Sequence, residues 1–433
     1  MAKIYYLTVL RNQNFLKLWA SQIFSQISMH MLNFVLIMRI FELTKTSIFV
    51  SFLAFCIGAP SVLFGLIGGS LVDKLDRRQI LFFSNILQAT TIILYIFAFN
   101  HPGMLCLTAF IYNALNQLYL PAEGAMIPSL VKKRELMTAN SLFMLTIYGA
   151  YIGGYTLAGP LIQIFGKLFP FYFTFLFLTL AAAAVFLLPE QKVKPFKIHY
   201  KTIFSKVQRT VQEGIGFLWQ RKEVLYPTLS ISVAYMTIST ILILIPAFTS
   251  HVLKIPLEAS SYIIVGPAAI GMLIGAIIVT HLAKKYRKST LTTIAVFSGG
   301  IILILMATLP YFGRFIKFIL IQNNLGFSFF VMLNALILTA VLATVLGFAN
   351  ALTVTPSQTL IHENTPHHFR GRIFGSLNML NNLVAFIPVI LAGFLADLFS
   401  VATVFVIIGI LLIAFGIKRV RYYQNQNQEL SSS

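Results

Sequence analysis

Glu123 lies in this 433-residue sequence within a long stretch without other charge, nine positions before the basic run Lys132-Lys133-Arg134. On a helix rising 1.5 Å per residue it lies about 13 Å from that run. A desolvated acid at such a place can take a proton from one side of a barrier and release it to the other. Asn113, Asn116 and Gln117 fall on the same helical face, and Pro121 frees a backbone carbonyl beside it. The alternative is a structural acid hydrogen-bonded to neighbouring helix ends. Gln22, Gln26, His30 and Asn33, spaced by 4, 4 and 3, also share one face. Amides and an imidazole in a row suit a hydrated, substrate-binding wall. Interhelical hydrogen bonding that only holds a bundle together is the plainer account, and a lone His is more often a neutral hydrogen-bonded group than a titrating one. Tyr148, Tyr151 and Tyr155 share a face of a later segment and would suit a bulky apolar ligand. Asn350, Thr353 and Gln358, with Asn378, Asn381 and Asn382, form a comparable polar lining farther on.

The elements that must position these residues follow from composition. The chain is 58% hydrophobic and 10% charged, with a net charge of +20. Soluble domains are usually about 25% charged, so this chain cannot cover its apolar mass in water. A basic nucleic-acid binder would carry its Lys and Arg on a charged, soluble surface, and no nucleic-acid partner is expected. Roughly 250 apolar residues suffice for twelve membrane helices of about 20 residues each. Apolar runs occur near 18–41, 48–72, 79–99, 104–130, 138–165 and 168–189, then near 224–250, 258–282, 289–311, 327–360, 372–397 and 399–417. This predicts an all-α membrane protein of twelve transmembrane helices in two pseudo-symmetric six-helix halves. The divisions are 1–189, a linker at 190–223, 224–417, and a tail at 418–433. The first run reads as a retained spanning helix, without a small-residue cleavage site after it. Cys56 and Cys106 both sit in apolar runs, which suggests neither a disulfide framework nor a metal site.

Orientation follows from the basic residues. The N-terminal segment, the loops near 74–78, 132–134, 284–288 and 370–372, the linker and the tail hold 26 Lys and Arg, whereas the alternate loops hold 5. The positive-inside rule then places both termini and the linker in the cytoplasm, as expected of a multi-pass protein of the cell inner membrane. Within the linker, Ile203, Phe204, Val207, Val211, Ile215 and Leu218 have the spacing of an amphipathic helix lying on anionic lipid. The halves repeat: Leu66-Ile67-Gly68 recurs 207 positions on as Leu273-Ile274-Gly275, and Pro121 recurs 235 positions on as Pro356. By the same 235 offset Gln358 is the mate of Glu123, so one half alone keeps the charge there. Repeats of this kind place a binding site between halves near mid-membrane. Arg39 and Asp397 fall near the outer boundary, where snorkelling or capping accounts for them.

The loop after the second run reads Gly69-Ser70-Leu71-Val72-Asp73-Lys74-Leu75-Asp76-Arg77-Arg78. It resembles the signature loop of the major facilitator superfamily: a Gly, an acid four residues on, then a basic pair. The Asp76 that replaces the family's usual glycine resembles the macrolide-efflux and enterobactin-exporter-like branch. The resemblance implies that Gly69, Asp73, Arg77 and Arg78 form a conformational switch in which the acid docks on a helix of the opposite half and locks an outward-facing state. A carboxylate is favoured at a positive helix N-terminus, which makes that docking physically sound. Gly149, Gly153, Gly154 and Gly159-Pro160 resemble the family's antiporter motif, with Ile162-Gln163 where its final glycine pair is expected. No Gly-x4-Gly-Lys-Ser/Thr loop occurs, so no ATP engine is built in. The expectation is a monomeric, proton-coupled exporter of a small amphipathic molecule, a drug or a siderophore-like metabolite, surrounded by lipid and needing no cofactor. The alternatives are an importer or lysophospholipid-type transporter of the same superfamily, or a non-transporting sensor or scaffold. An enzyme is the least favoured reading, because no paired carboxylates or Ser/His/Asp arrangement falls in the apolar runs.

Overall fold

The computed structural model describes residues 8–72, 75–190, 216, 221–322, 328–365 and 387–432. The apolar runs become helices: α1 (Gln13–Thr44), α2 (Ser47–Val72), α3 (Arg77–Phe97), α4 (Pro102–Leu130), α5 (Leu136–Phe165), α6 (Phe169–Phe186) and α7 (Lys222–Ala247). After α7 the chain runs through a π turn, Phe248–Leu253, a short 3-10 turn, Leu257–Ala259, and a second π turn, Ser261–Val265. Then come α8 (Gly266–Lys285), α9 (Lys288–Gln322), α10 (Ser328–Glu363), a shorter apolar helix α11 at Ile387–Leu398, and α12 (Val401–Ser432). Among the described residues ten helices are long and apolar enough to cross a membrane. Of the twelve expected, α4 is not among the ten because Asn113, Asn116, Gln117 and Glu123 dilute its apolar run, and α11, Ile387–Leu398, is shorter than a membrane span.

Local chemistry sets the helix ends. The Asn12 side chain accepts from Asn14 N at 3.1 Å and Phe15 N at 3.2 Å, which caps the start of α1. Asp76 caps α3 by accepting from Arg78 N at 2.9 Å, and this is what the acid in the family's glycine position does here. Pro102 opens α4, where its missing N–H is no loss. Two corrections to the sequence reading concern ends. The expected loop from Tyr311 is helical as far as Gln322, and the expected tail is helical to Ser432. Neither stretch contains a proline, and the tail after Gly416 contains no glycine, so the helical hydrogen-bond ladder continues.

The chain divides into two compact units, Met1–Thr44 with Phe52–Val207, and Lys45–Ser51 with Gln208–Ser433. In the first, α1 packs on α4, α5 and α6, while α3 packs on α4 and α6. In the second, α7 and α8 pack on α10, and α9 packs on α10 and α12. The pairs α1–α4, α3–α4 and α3–α6 thus recur as α7–α10, α9–α10 and α9–α12, so the sequence repeat is also a packing repeat. The non-glycine residues with positive φ are Lys45 and Lys254, among those described, at the ends of the helical runs that begin with α1 and α7. The first unit's core at the basic-loop end is made by Phe15, Leu18, Leu81, Tyr119, Met126 and Phe143. In the second unit, Gly271 lies so close to α10 that an added Cβ would sit 1.9 Å from Thr344 O, and Gly347 stands in the same relation to Ala268 O. Small residues therefore set the α8–α10 distance.

Candidate substrate and coupling site

Glu123 is buried in the first unit, 3% exposed. Its carboxylate accepts from the Tyr119 hydroxyl at 3.1 Å, one turn earlier on α4. That hydroxyl lies 3.3 Å from Ser21 Oγ on α1, and Ser21 Oγ accepts from Asn85 Nδ2 on α3 at 3.3 Å. Three helices thus meet at one polar chain, Glu123–Tyr119–Ser21–Asn85, with all four members buried. Among the described residues Glu123 takes part in no ion pair. A carboxyl among neutral hydroxyl and amide groups is an inexpensive place to carry a proton and an expensive place to carry a bare charge. The residues expected to share its face behave differently. Asn113 donates to Ala109 O at 2.9 Å and Gln117 to Asn113 O at 3.2 Å, both on their own helix, while Asn116 reaches Met29 Sδ at 3.3 Å. Tyr119, Ser21 and Asn85 were not singled out in the sequence. The signals available were Tyr119 at i−4 from the acid and single polar residues inside apolar runs.

On α1, Gln22, Gln26, His30 and Asn33 are all buried. Gln22 donates to Phe143 O on α5 at 3.3 Å. The His30 ring meets Tyr151 edge-on, centroids 5.1 Å apart, and Tyr155 at 5.7 Å, with the two tyrosine rings 4.8 Å from each other. Gly154 makes this possible, because a Cβ there would lie 2.8 Å from His30 Cβ. The structure therefore joins the α1 stripe to two of the three expected tyrosines. Tyr148, two turns before Tyr155, stands apart and is 59% exposed.

In the second unit, Asn350 and Thr353 line a cavity of about 40 Å³ with Val233, Thr237 and Ala295. That volume admits a few waters and no drug-sized molecule. Gln358 is half-buried on α10. Asn378, Asn381 and Asn382 lie outside the described residues, as does Asp73 of the signature loop and the amphipathic linker segment apart from Gly216.

Of the signature loop, Gly69 belongs to the last turns of α2. Arg77 Nη1 donates to Ala125 O on α4 at 2.8 Å. Arg78 Nη2 donates to Phe186 O at the end of α6 at 2.6 Å, lies over the Phe186 ring at 5.3 Å, and pairs with Glu190 at 3.3 Å. Arg78 thus ties α3 to the negative end of α6. At the opposite end, Arg39 pairs with Glu42, donates to Phe99 O and Asn100 Oδ1, and stacks on Phe99. Asp397 accepts from Ser47 N at 2.7 Å and Ile48 N at 2.9 Å, the capping role expected of it. Among the described residues no three His, Cys, Asp or Glu stand together as a metal site would require.

Comparison with known proteins places these features. The sequence profile of the Major Facilitator Superfamily matches residues 18–343 and 324–429. The chain is 26% identical over 417 residues to the uncharacterized MFS-type transporter YfiS of Bacillus subtilis (strain 168), covering 94% of this chain and 93% of that protein. It is 24% identical over 413 residues to macrolide efflux protein A of Streptococcus pyogenes, covering 93% and 94%. Among solved structures, the nucleoside transporter NupG superposes with a TM-score of 0.70 at 12% identity, covering 94% of this chain and 99% of that one. A bacterial homologue of the iron transporter ferroportin in an inward-facing state superposes with a TM-score of 0.65 at 15% identity, covering 95% and 99%. With ten helices among the described residues long and apolar enough to cross a membrane, and with this family match along its length, the chain is a multi-pass membrane protein that belongs to the Major Facilitator Superfamily of transporters.

Proposed function

We propose that this transporter exports a small amphipathic molecule from the cytoplasm by alternating access, driven by proton influx, with Glu123 as the proton site. The observation that carries the reading is the setting of Glu123: a buried acid at membrane depth whose partner is a neutral hydroxyl. An ionisable group is expensive inside the membrane unless it has work to do. The Tyr119–Ser21–Asn85 chain supplies hydroxyl and amide groups beside it for handing on a proton. Export agrees with the likeness to a macrolide efflux protein. The uncharged amides and tyrosines of α1 and α5 suit neutral or cationic molecules better than multiply anionic ones. Placement in the cell inner membrane, both termini in the cytoplasm, and action as a monomer complete the proposal. Arg77, Arg78, Gly69 and Asp73 are its conformational loop.

The test is efflux of lipophilic dyes and antibiotics from proteoliposomes with and without a pH gradient, in wild type and Glu123→Gln. Wild type should concentrate at least one compound when the gradient is imposed. The variant should still move it downhill but no longer respond to the gradient. Uphill transport by Glu123→Gln with full gradient dependence removes Glu123 as the proton site. Transport indifferent to the gradient in wild type favours a flippase or a facilitator instead.

A further inference from the structure

We propose that the α1 face around His30 and Asn33, with Tyr151 and Tyr155, is the recognition site for the protonated amine of a lipophilic amine. This rests on the reading that the face contacts substrate. Both ring nitrogens of His30, Asn33 Oδ1 and Gln22 Oε1 are buried without a hydrogen-bond partner. Such atoms are scarce in native proteins, and with Ser28 Oγ there are five of them within twelve residues of one helix, which require an explanation. Their chemistry is lopsided. A neutral imidazole has one donor and one acceptor, so His30 and Asn33 Oδ1, one turn apart, offer two acceptors and one donor, while Gln22 Oε1 lies about 12 Å farther back along the helix. An ammonium group supplies three donors, enough to meet both of those acceptors. An anion or a carbonyl-rich ligand would leave the acceptors unmet.

The rings point the same way. Tyr151 and Tyr155 lie 5.1 and 5.7 Å from the His30 ring, and aromatic faces attract cations. Phe34 adds an apolar wall 6.1 Å from Tyr155, suited to the rest of an amphipathic molecule. No charged residue occurs from Gln22 to Asn33, nor from Ala139 to Ala158 on α5. Nothing on those stretches repels an incoming cation, and no resident Lys or Arg on them takes up the acceptors. Tyr151 is half-buried, which leaves one edge of the cluster open to a ligand. Gly154 lets α5 approach α1 closely beside the imidazole, since an added Cβ there would lie 2.8 Å from His30 Cβ and 2.9 Å from Ile27 O.

The experiment measures equilibrium binding to the full-length protein in lipid nanodiscs, with no gradient. The probes are dansylcadaverine, its N-acetylated analogue, its trimethylammonium analogue and a dansyl carboxylate of the same length. The primary amine should bind about tenfold tighter than the acetylated analogue, the effect of one charge-assisted hydrogen bond. The trimethylammonium compound, a cation without donors, should fall between them, and the carboxylate should bind weakest. His30→Phe and Asn33→Leu should each reduce the amine preference severalfold, and His30→Gln, which keeps a donor and an acceptor, should retain most of it. Unchanged melting temperature shows that the variants fold. Equal binding of amine and acetylated analogue by wild type overturns the proposal even if no variant folds. So does an amine preference that survives in both His30→Phe and Asn33→Leu. If wild type pumps dyes under a gradient yet shows no amine preference, this inference fails and the export reading stands; if it pumps nothing, the export reading itself fails.

Discussion

Glu123 acquires its chemistry from residues that are remote in sequence. Ser21 and Asn85 lie 102 and 38 positions before it, and both arrive through helix packing. Tyr119→Phe keeps the buried ring but deletes the donor to Glu123 and the link to Ser21. The loss should lower stability by about 1–2 kcal/mol, the usual effect of leaving a buried acceptor unmet, and thermal unfolding in detergent measures it. Asp397 carries the second residue-scale prediction. Its carboxylate satisfies two of the orphan N–H groups at the start of α2. Asp397→Ala should weaken that helix start by about 1 kcal/mol, read as faster amide hydrogen exchange over residues 47–51. Its role as a cap was legible from its position near the outer boundary. The helix that it caps, 349 positions away in sequence at Ile48, was not.

At the level of helices, apolar periodicity and punctuation located nearly every element, because membrane helices must satisfy their backbone internally and therefore run long and uninterrupted. The misjudged ends, after Tyr311 and after Lys418, are those where polar or aromatic residues follow without a helix breaker. How closely helices approach was less legible. Gly275 of the Leu273-Ile274-Gly275 repeat does lie against Phe348 of α10, but the tightest backbone approaches of α8 and α10 are at Gly271 and Gly347, which the repeat did not mark. Gly271→Leu and Gly347→Leu should each cost about 2 kcal/mol or more by forcing the helices apart. Gly149→Leu, where an added Cβ meets nothing within 4 Å, should be tolerated far better. Yield of monodisperse protein and its melting temperature separate these outcomes.

For the molecule as a whole, the charge asymmetry of 26 basic residues against 5 makes a topological prediction. Cysteine placed at Asn100 should react with a membrane-impermeant maleimide added to intact cells, and cysteine at Lys133 only after permeabilisation. The native Cys56 and Cys106 are buried free thiols, and they are replaced by alanine in that assay. Composition, apolar run length and loop charge were enough to determine a polytopic helical membrane protein, its internal repeat and its expected orientation, since each is a sum over many residues that tolerates local error. The tertiary structure decided which polar groups meet. It turned Asn113 and Gln117 onto their own helix, set Tyr148 apart from Tyr151 and Tyr155, linked Glu123 to α1 and α3, and left the His30 ring nitrogens and Asn33 Oδ1 without hydrogen-bond partners. Partnership of that kind depends on interhelical distances of a few ångströms, and those are set by the small residues at helix contacts, whose effect a helical period does not record.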